Sequence, residues 1–143
     1  MLVAQATALA QRETDPCRLF DGAASSCELE PFVARAAIAR SWLRSDASPA
    51  ASEVARSLGN GIAAAESCVT AVYLAAWFLR RPFAELMEFV RAVRGDVDTI
   101  GAMAGAVWGA ANGAMALPAA ALARLEQREA LVELAGALHA KCC

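Results

Sequence analysis

A chain of 143 residues in which 58% of the side chains are hydrophobic and 20% charged can bury a core of its own, and its length favours one domain, residues 1–143, over two. Its 13 basic and 15 acidic residues are interspersed and leave a net charge of −2, so no basic stripe is available to grip a phosphate backbone and nucleic acid is not an expected partner. One histidine and cysteines without CxxC spacing argue against zinc and fit reduced thiols in a cytoplasmic protein. Aromatics are only 6%, so the apolar content is mostly small side chains. With strong helix formers abundant, this predicts an all-α fold, a compact helical bundle.

In chain order, Leu2 to Gln11 reads as a first helix. It has no basic leader and its apolar stretch breaks at Gln5, which argues against a secretory signal. Arg12 to Ser26, with Asp15-Pro16 and Asp21-Gly22, reads as a loop. Glu28 to Leu43 places Leu29, Phe32, Val33, Ala36, Ala37, Ile38 and Trp42 at helical spacing, which predicts a second helix with these residues on its apolar face. Ser48-Pro49 with Glu53 marks the start of a short helix ending near Leu58-Gly59. Past Gly59-Asn60-Gly61, Ala63 to Arg80 and Phe83 to Val93 read as two helices divided at Arg81-Pro82. Thr99 to Met115 is the next helix, and Pro118 stops it or opens a short turn. Glu126 to Ala140 closes the chain with Leu131, Leu134, Ala135 and Leu138 expected inward.

No charged side chain occurs from Thr99 to Ala123. Gly101, Gly105, Gly109 and Gly113 recur every four residues in this segment, a stripe that lets another helix approach closely. Its length admits a membrane span. Asn112, Pro118, the alanine and glycine in place of leucine and the two aspartates just outside favour a buried helix in a core instead. The terminal Cys142-Cys143 pair has the outline of a prenylated tail, with only Lys141 as basic support, and membrane attachment is not expected. Trp42, Trp77, Trp108, Tyr73 and Phe78 lie on apolar faces and are expected to pack. His139 stands near a helix C-terminus, where a cation is mildly favoured, and Cys68 lacks a histidine neighbour, so neither is assigned a chemical role.

The stretch Arg94-Gly95-Asp96-Val97-Asp98-Thr99-Ile100 brings two carboxylates and a hydroxyl to a glycine turn ahead of the uncharged segment. Two readings follow. Asp98 can cap the helix while Asp96 complements its dipole. Alternatively, three oxygen donors at one helix mouth suit a hard ion, and acidic groups beside an apolar core call for some such partner.

Arg94 to Ala106 resembles the carboxyl-terminal motif of the ADP-ribosylglycohydrolase family, GGDxDTIxAxAGA. Upstream, Leu58 to Ala71 is similar to that family's other carboxyl-terminal block, a glycine loop followed by ESVPTA, and the helices around both motifs fall in the same order. Two local departures stand out, Arg94 in place of the first glycine and Cys68-Val69 in place of valine-proline. The resemblance implies an orthogonal all-α bundle like the carboxyl-terminal half of that fold. It implies metal-dependent hydrolysis of the glycosidic bond between ADP-ribose and an acceptor such as a protein side chain, with two Mg2+ or Mn2+ ions in the complete site. By motif position Asp96, Asp98 and Thr99 would be metal ligands, and Asn60, Ile62 and Ser67 would contact ADP-ribose. The ions would orient ribose hydroxyls and activate water, with a carboxylate assisting at the anomeric carbon. The family's amino-terminal GDAxG segment, its Thr-Asp-Asp metal motif and its catalytic glutamate have no match in this chain, so no catalytic residue is assigned. The resemblance therefore leaves a protein incomplete or inactive as this chain alone, with a separate amino-terminal half as a possible partner. The alternative is a non-catalytic helical module that binds ADP-ribose, an ADP-ribosylated protein or another partner.

Overall fold

The computed structural model describes residues 1–25, 27–45 and 48–142, without the side chain of Cys142; the Cys142-Cys143 pair thus lies outside the described side chains. The described residues form helices and no strand. They are α1 (Leu2–Ala10), α2 (Pro16–Ala24), α3 (Phe32–Ser45), α4 (Ala51–Ser57), α5 (Ala64–Trp77), α6 (Phe83–Val93), α7 (Val97–Asn112), α8 (Ala119–Leu122) and α9 (Arg128–Cys142), with a 3-10 turn at Ala114–Ala116.

Helix α5 is the axis of the fold, touching α1, α2, α3, α6 and α7. Every residue from Val69 to Ala76 is buried, and a helix apolar on all sides belongs inside. Around it, Leu2, Ala6 and Ala10 of α1, Val54 of α4, Leu86 and Val90 of α6, and Ile100, Ala104 and Val107 of α7 join one core. Small side chains dominate these contacts, so the helices pack closely with few aromatics. The aromatics that are present cluster: Trp42 meets Tyr73 edge-on at 5.5 Å, and Phe83 lies 5.1 Å from the Trp108 ring. Trp108 is buried, and its indole N–H is shared between the carbonyls of Phe78 and Arg81, each at 3.1 Å. That bond ties α7 to the α5–α6 corner and satisfies the one polar atom of the ring.

The sequence reading differs from the structure in four places. The segment Arg12–Ser26, expected as a loop, contains α2 from Pro16 to Ala24. Asp15-Pro16 is a helix start rather than a turn: the Asp15 carboxylate accepts the Arg18 N–H at 2.9 Å and proline occupies the first turn. Gly22 lies inside the helix, where a Cβ would come within 2.9 Å of the Leu9 methyl, so this glycine serves the approach of α1.

Helix α3 starts at Phe32, after Pro31, and buries only part of the expected face: Phe32, Ala36 and Trp42 pack on the core. Ala36 and Ala39 are buried while Leu29, Val33 and Ile38 are exposed. Arg40 and Arg44 both reach the Asp21 carboxylate on α2, which fits α3 lying with Ala36 and Ala39 on the core. In the uncharged segment, α7 buries one face and the residues beyond it are largely exposed. The glycine stripe is half used: Val90 stands 3.7 Å from where a Cβ of Gly101 would be and Phe83 3.6 Å from that of Gly105, whereas nothing approaches Gly109. Finally, Leu131, Leu134 and Leu138 of α9 are 50%, 58% and 58% exposed and Ala135 is exposed too, against the inward face expected. Periodicity identifies residues that share a face but not what covers it. No described helix is long and apolar enough to cross a membrane.

Burial opposes the charge on Asp21, but the hydrogen bonds from Arg40 and Arg44 outweigh it and hold the carboxyl below its ordinary value. A lowered folded pKa contributes stability that is present above the unfolded value of 3.8 and is lost as pH falls through the folded one. Melting temperatures of the wild type should therefore drop more steeply in this acid range than those of Asp21→Asn. Trp108→Ala should cost about 3–5 kcal/mol in denaturant unfolding, from the emptied ring volume and the lost indole bonds to the Phe78 and Arg81 carbonyls.

Candidate functional site

Two short connections meet at one end of α5 and α7. The first, Gly59 to Ala63, joins α4 to α5; the second, Arg94 to Asp96, joins α6 to α7. Asn60 fastens them together. Its carbonyl accepts the Asp96 N–H at 2.7 Å, and its side-chain amide donates to the Val93 carbonyl at 3.0 Å. Gly95, at φ +73°, leaves room for this crossing; a Cβ there would collide with the Asn60 carbonyl. The first loop is braced from below, where the Thr70 hydroxyl donates to the Gly59 carbonyl at 2.6 Å.

The backbone also explains what glycine does in the motif position held by Arg94. Arg94 has φ +62° and ψ −163°, a region that only glycine enters without strain. The arginine therefore carries a backbone cost that the pattern's glycine avoids.

Of the residues singled out by sequence, Asp96 is the N-cap residue of α7, half-buried, and its side chain makes no capping bond. Asp98 falls in the first turn rather than at the cap and is exposed. It lines a hollow between α6 and α7 with Val90, Arg91 and Gly101. Thr99 is exposed and lies one helical turn before Met103, on the face that leads toward α5. The three donors thus ring the mouth of α7 without sharing one enclosed pocket.

Ile62 is 89% exposed at the tip of the first loop. Asn60 is half-buried with its amide engaged as described. Ser67 is buried, its hydroxyl donating to the Ala63 carbonyl one turn earlier at 3.3 Å, so it would reach a ligand only by rotating off that carbonyl.

The donor set at α7 is entirely oxygen, which fits Mg2+ or Mn2+ in type. It is short in number. No group of three or more His, Cys, Asp or Glu side chains with metal-holding geometry occurs among the described residues. A six-coordinate ion would take its remaining oxygens from water or from outside this chain. Beside the loop opens an apolar cleft of about 450 Å³, lined by Leu2, Val3, Phe32, Ala64, Cys68 and Met103. The Cys68 thiol rests 3.8 Å from the Met103 sulfur there.

Sequence reasoning gave no role to Glu66 or Arg35. The Glu66 carboxylate accepts the Gly61 N–H at 2.9 Å and pairs with Arg35 of α3 at 3.5 Å. Glutamate at the third position of a helix commonly reaches back to its start, and that spacing after Gly59-Asn60-Gly61 was the available signal.

An all-α protein with an acidic helix mouth fastened to a glycine loop is the class that this fold and site define. The family model described as ADP-ribosylglycohydrolase matches residues 1–143, the whole chain, and the chain belongs to that family. A search of curated proteins gives no match.

Arg94→Gly should raise stability by about 1 kcal/mol, the relieved strain less the added chain entropy of glycine, seen as a rise of a few degrees in melting temperature. Gly95→Ala should lower it by about 2–4 kcal/mol, since the new methyl forces the two loops apart and breaks the Asn60–Asp96 bond. Equal melting temperatures for wild type and Gly95→Ala would contradict the described crossing.

Proposed function

We propose that this chain forms one wall of a metal-dependent site that hydrolyses the glycosidic bond between ADP-ribose and an acceptor such as a protein side chain. The observation that supports this most is the Asn60 fastening. It places the loop that would contact ADP-ribose one hydrogen bond, 2.7 Å, from the helix mouth that would hold the ion.

On this reading Asp96, Asp98 and Thr99 would hold Mg2+ or Mn2+, which when bound orients ribose hydroxyls and activates water. The residues of the chain bind and orient. Ile62, exposed at the loop tip, offers an apolar contact, and Asn60 fixes the distance from that contact to the carboxylates. The N-cap residues of α5 and α7 make no side-chain cap bond, and although the Glu66 and Val97 N–H groups are taken by the Ala63 and Gly95 carbonyls, the positive ends of both helix dipoles favour ligand oxygens. Water replaces the acceptor at the anomeric carbon, and the carboxylate that would assist it, with the remaining oxygen ligands, would come from outside residues 1–143.

In NMR titrations of the purified chain, ADP-ribose with Mg2+ should shift the amides of residues 59–67 and 95–99 together, and Asp96→Asn with Asp98→Asn should abolish the Mg2+ dependence. The chain alone should release no ADP-ribose from a modified protein. Shifts confined to other parts of the bundle would refute the site, and metal-dependent release by the chain alone would refute its incompleteness.

A further inference from the structure

The loop before α5 has an exposed tip at Ile62, and its Gly61 corner is held by one acidic side chain. Glu66 is the third residue of α5, whose N-cap, Ala63, has no side chain able to cap. Its carboxylate passes over the helix start to the Gly61 N–H at 2.9 Å. Gly59 and Gly61 both present hydrogen, not methyl, to this side chain: a Cβ on Gly59 would collide with the Glu66 stem, and one on Gly61 with its carboxylate. The two glycines and the glutamate are therefore a fitted set. Arg35 of α3 holds the second carboxylate oxygen at 3.5 Å. The Arg35 Nε is buried and meets no acceptor among the described residues, and the guanidinium is anchored to Glu66 through its Nη2.

We infer that Glu66 is a positioning residue for ADP-ribose: its carboxylate, steadied by Arg35, sets the path of Gly59–Ala63 and so the place where Ile62 meets the ligand. Glu66 itself touches no ligand. Asn60 and Thr70 tie the Gly59 end of the loop to the α6–α7 connection and to the body of α5, and Glu66 ties its Gly61 corner to α3 and to the start of α5. Without the second tie, Gly61 and Ile62 regain the freedom of a glycine-flanked segment, and that freedom must be lost again on binding.

The inference rests on the reading of this loop as the ligand-facing segment, and the test separates the two. Hydrogen exchange of the Gly61 amide and the affinity for ADP-ribose with Mg2+ are measured by NMR on the full chain as wild type, Glu66→Ala and Glu66→Gln, with helical circular dichroism as the check on folding. Glu66→Ala should speed Gly61 exchange and weaken ADP-ribose binding by about tenfold each, the scale of a lost hydrogen bond to a charged group. Glu66→Gln keeps a carbonyl for the Gly61 N–H and should restore both to within about threefold of wild type. Wild-type exchange and affinity in Glu66→Ala would overturn the inference, as would a Glu66→Gln variant as impaired as Glu66→Ala. Failure of the wild type to bind ADP-ribose would instead overturn the reading of the loop as a ligand site, and the Gly61 exchange rates alone would then decide whether Glu66 holds it.

Discussion

The bond on which the site depends joins two backbones, the Asn60 carbonyl and the Asp96 N–H at 2.7 Å. Side chains at helix starts ordinarily wander with the loops that carry them. Here the loop before α5 and the loop before α7 share hydrogen bonds, so the carboxylates and the exposed Ile62 move as one unit. The arrangement requires a residue without Cβ at 95 and a carboxamide at 60, since a shorter side chain at 60 would not reach the Val93 carbonyl. Preorganisation of this kind lets a small binding surface act at a fixed distance from an ion.

What surrounds the clip explains its rigidity. Leu58, Val93 and Ile100 flank the two connections and are buried, so each loop leaves and re-enters the core within a few residues. Short spans between anchored ends have little conformational freedom. The strained Arg94 persists because its neighbours are fixed on both sides, Val93 by the Asn60 amide and Asp96 by the Asn60 carbonyl.

Much of this was legible in the residues themselves. Pro82 and Arg94-Gly95 bracket α6, and its bounds Phe83–Val93 came directly from that punctuation. The all-helical class followed from composition, and the motif at Arg94–Ala106 led to the family. What failed did so for physical reasons. The pair Asp15-Pro16 stops one element and starts another equally well, and only the Arg18 N–H bonded to Asp15 tells which. The face of α3 is legible only in part, at Phe32, Ala36 and Trp42, because local spacing carries no sign that Arg40 and Arg44 pair with Asp21 on another helix. Glu66 was overlooked in the middle of a recognised motif, since its role arises from the path of the preceding loop and not from its spacing to another acid.

Helix α9 stands apart from this interlocked region. Its leucines remain half exposed, while α5 is sealed on every side. A helix of 15 residues gains little stability without a packed face. The burial that holds this chain together fades beyond Leu117, so local opening of α9 costs less than opening of α5.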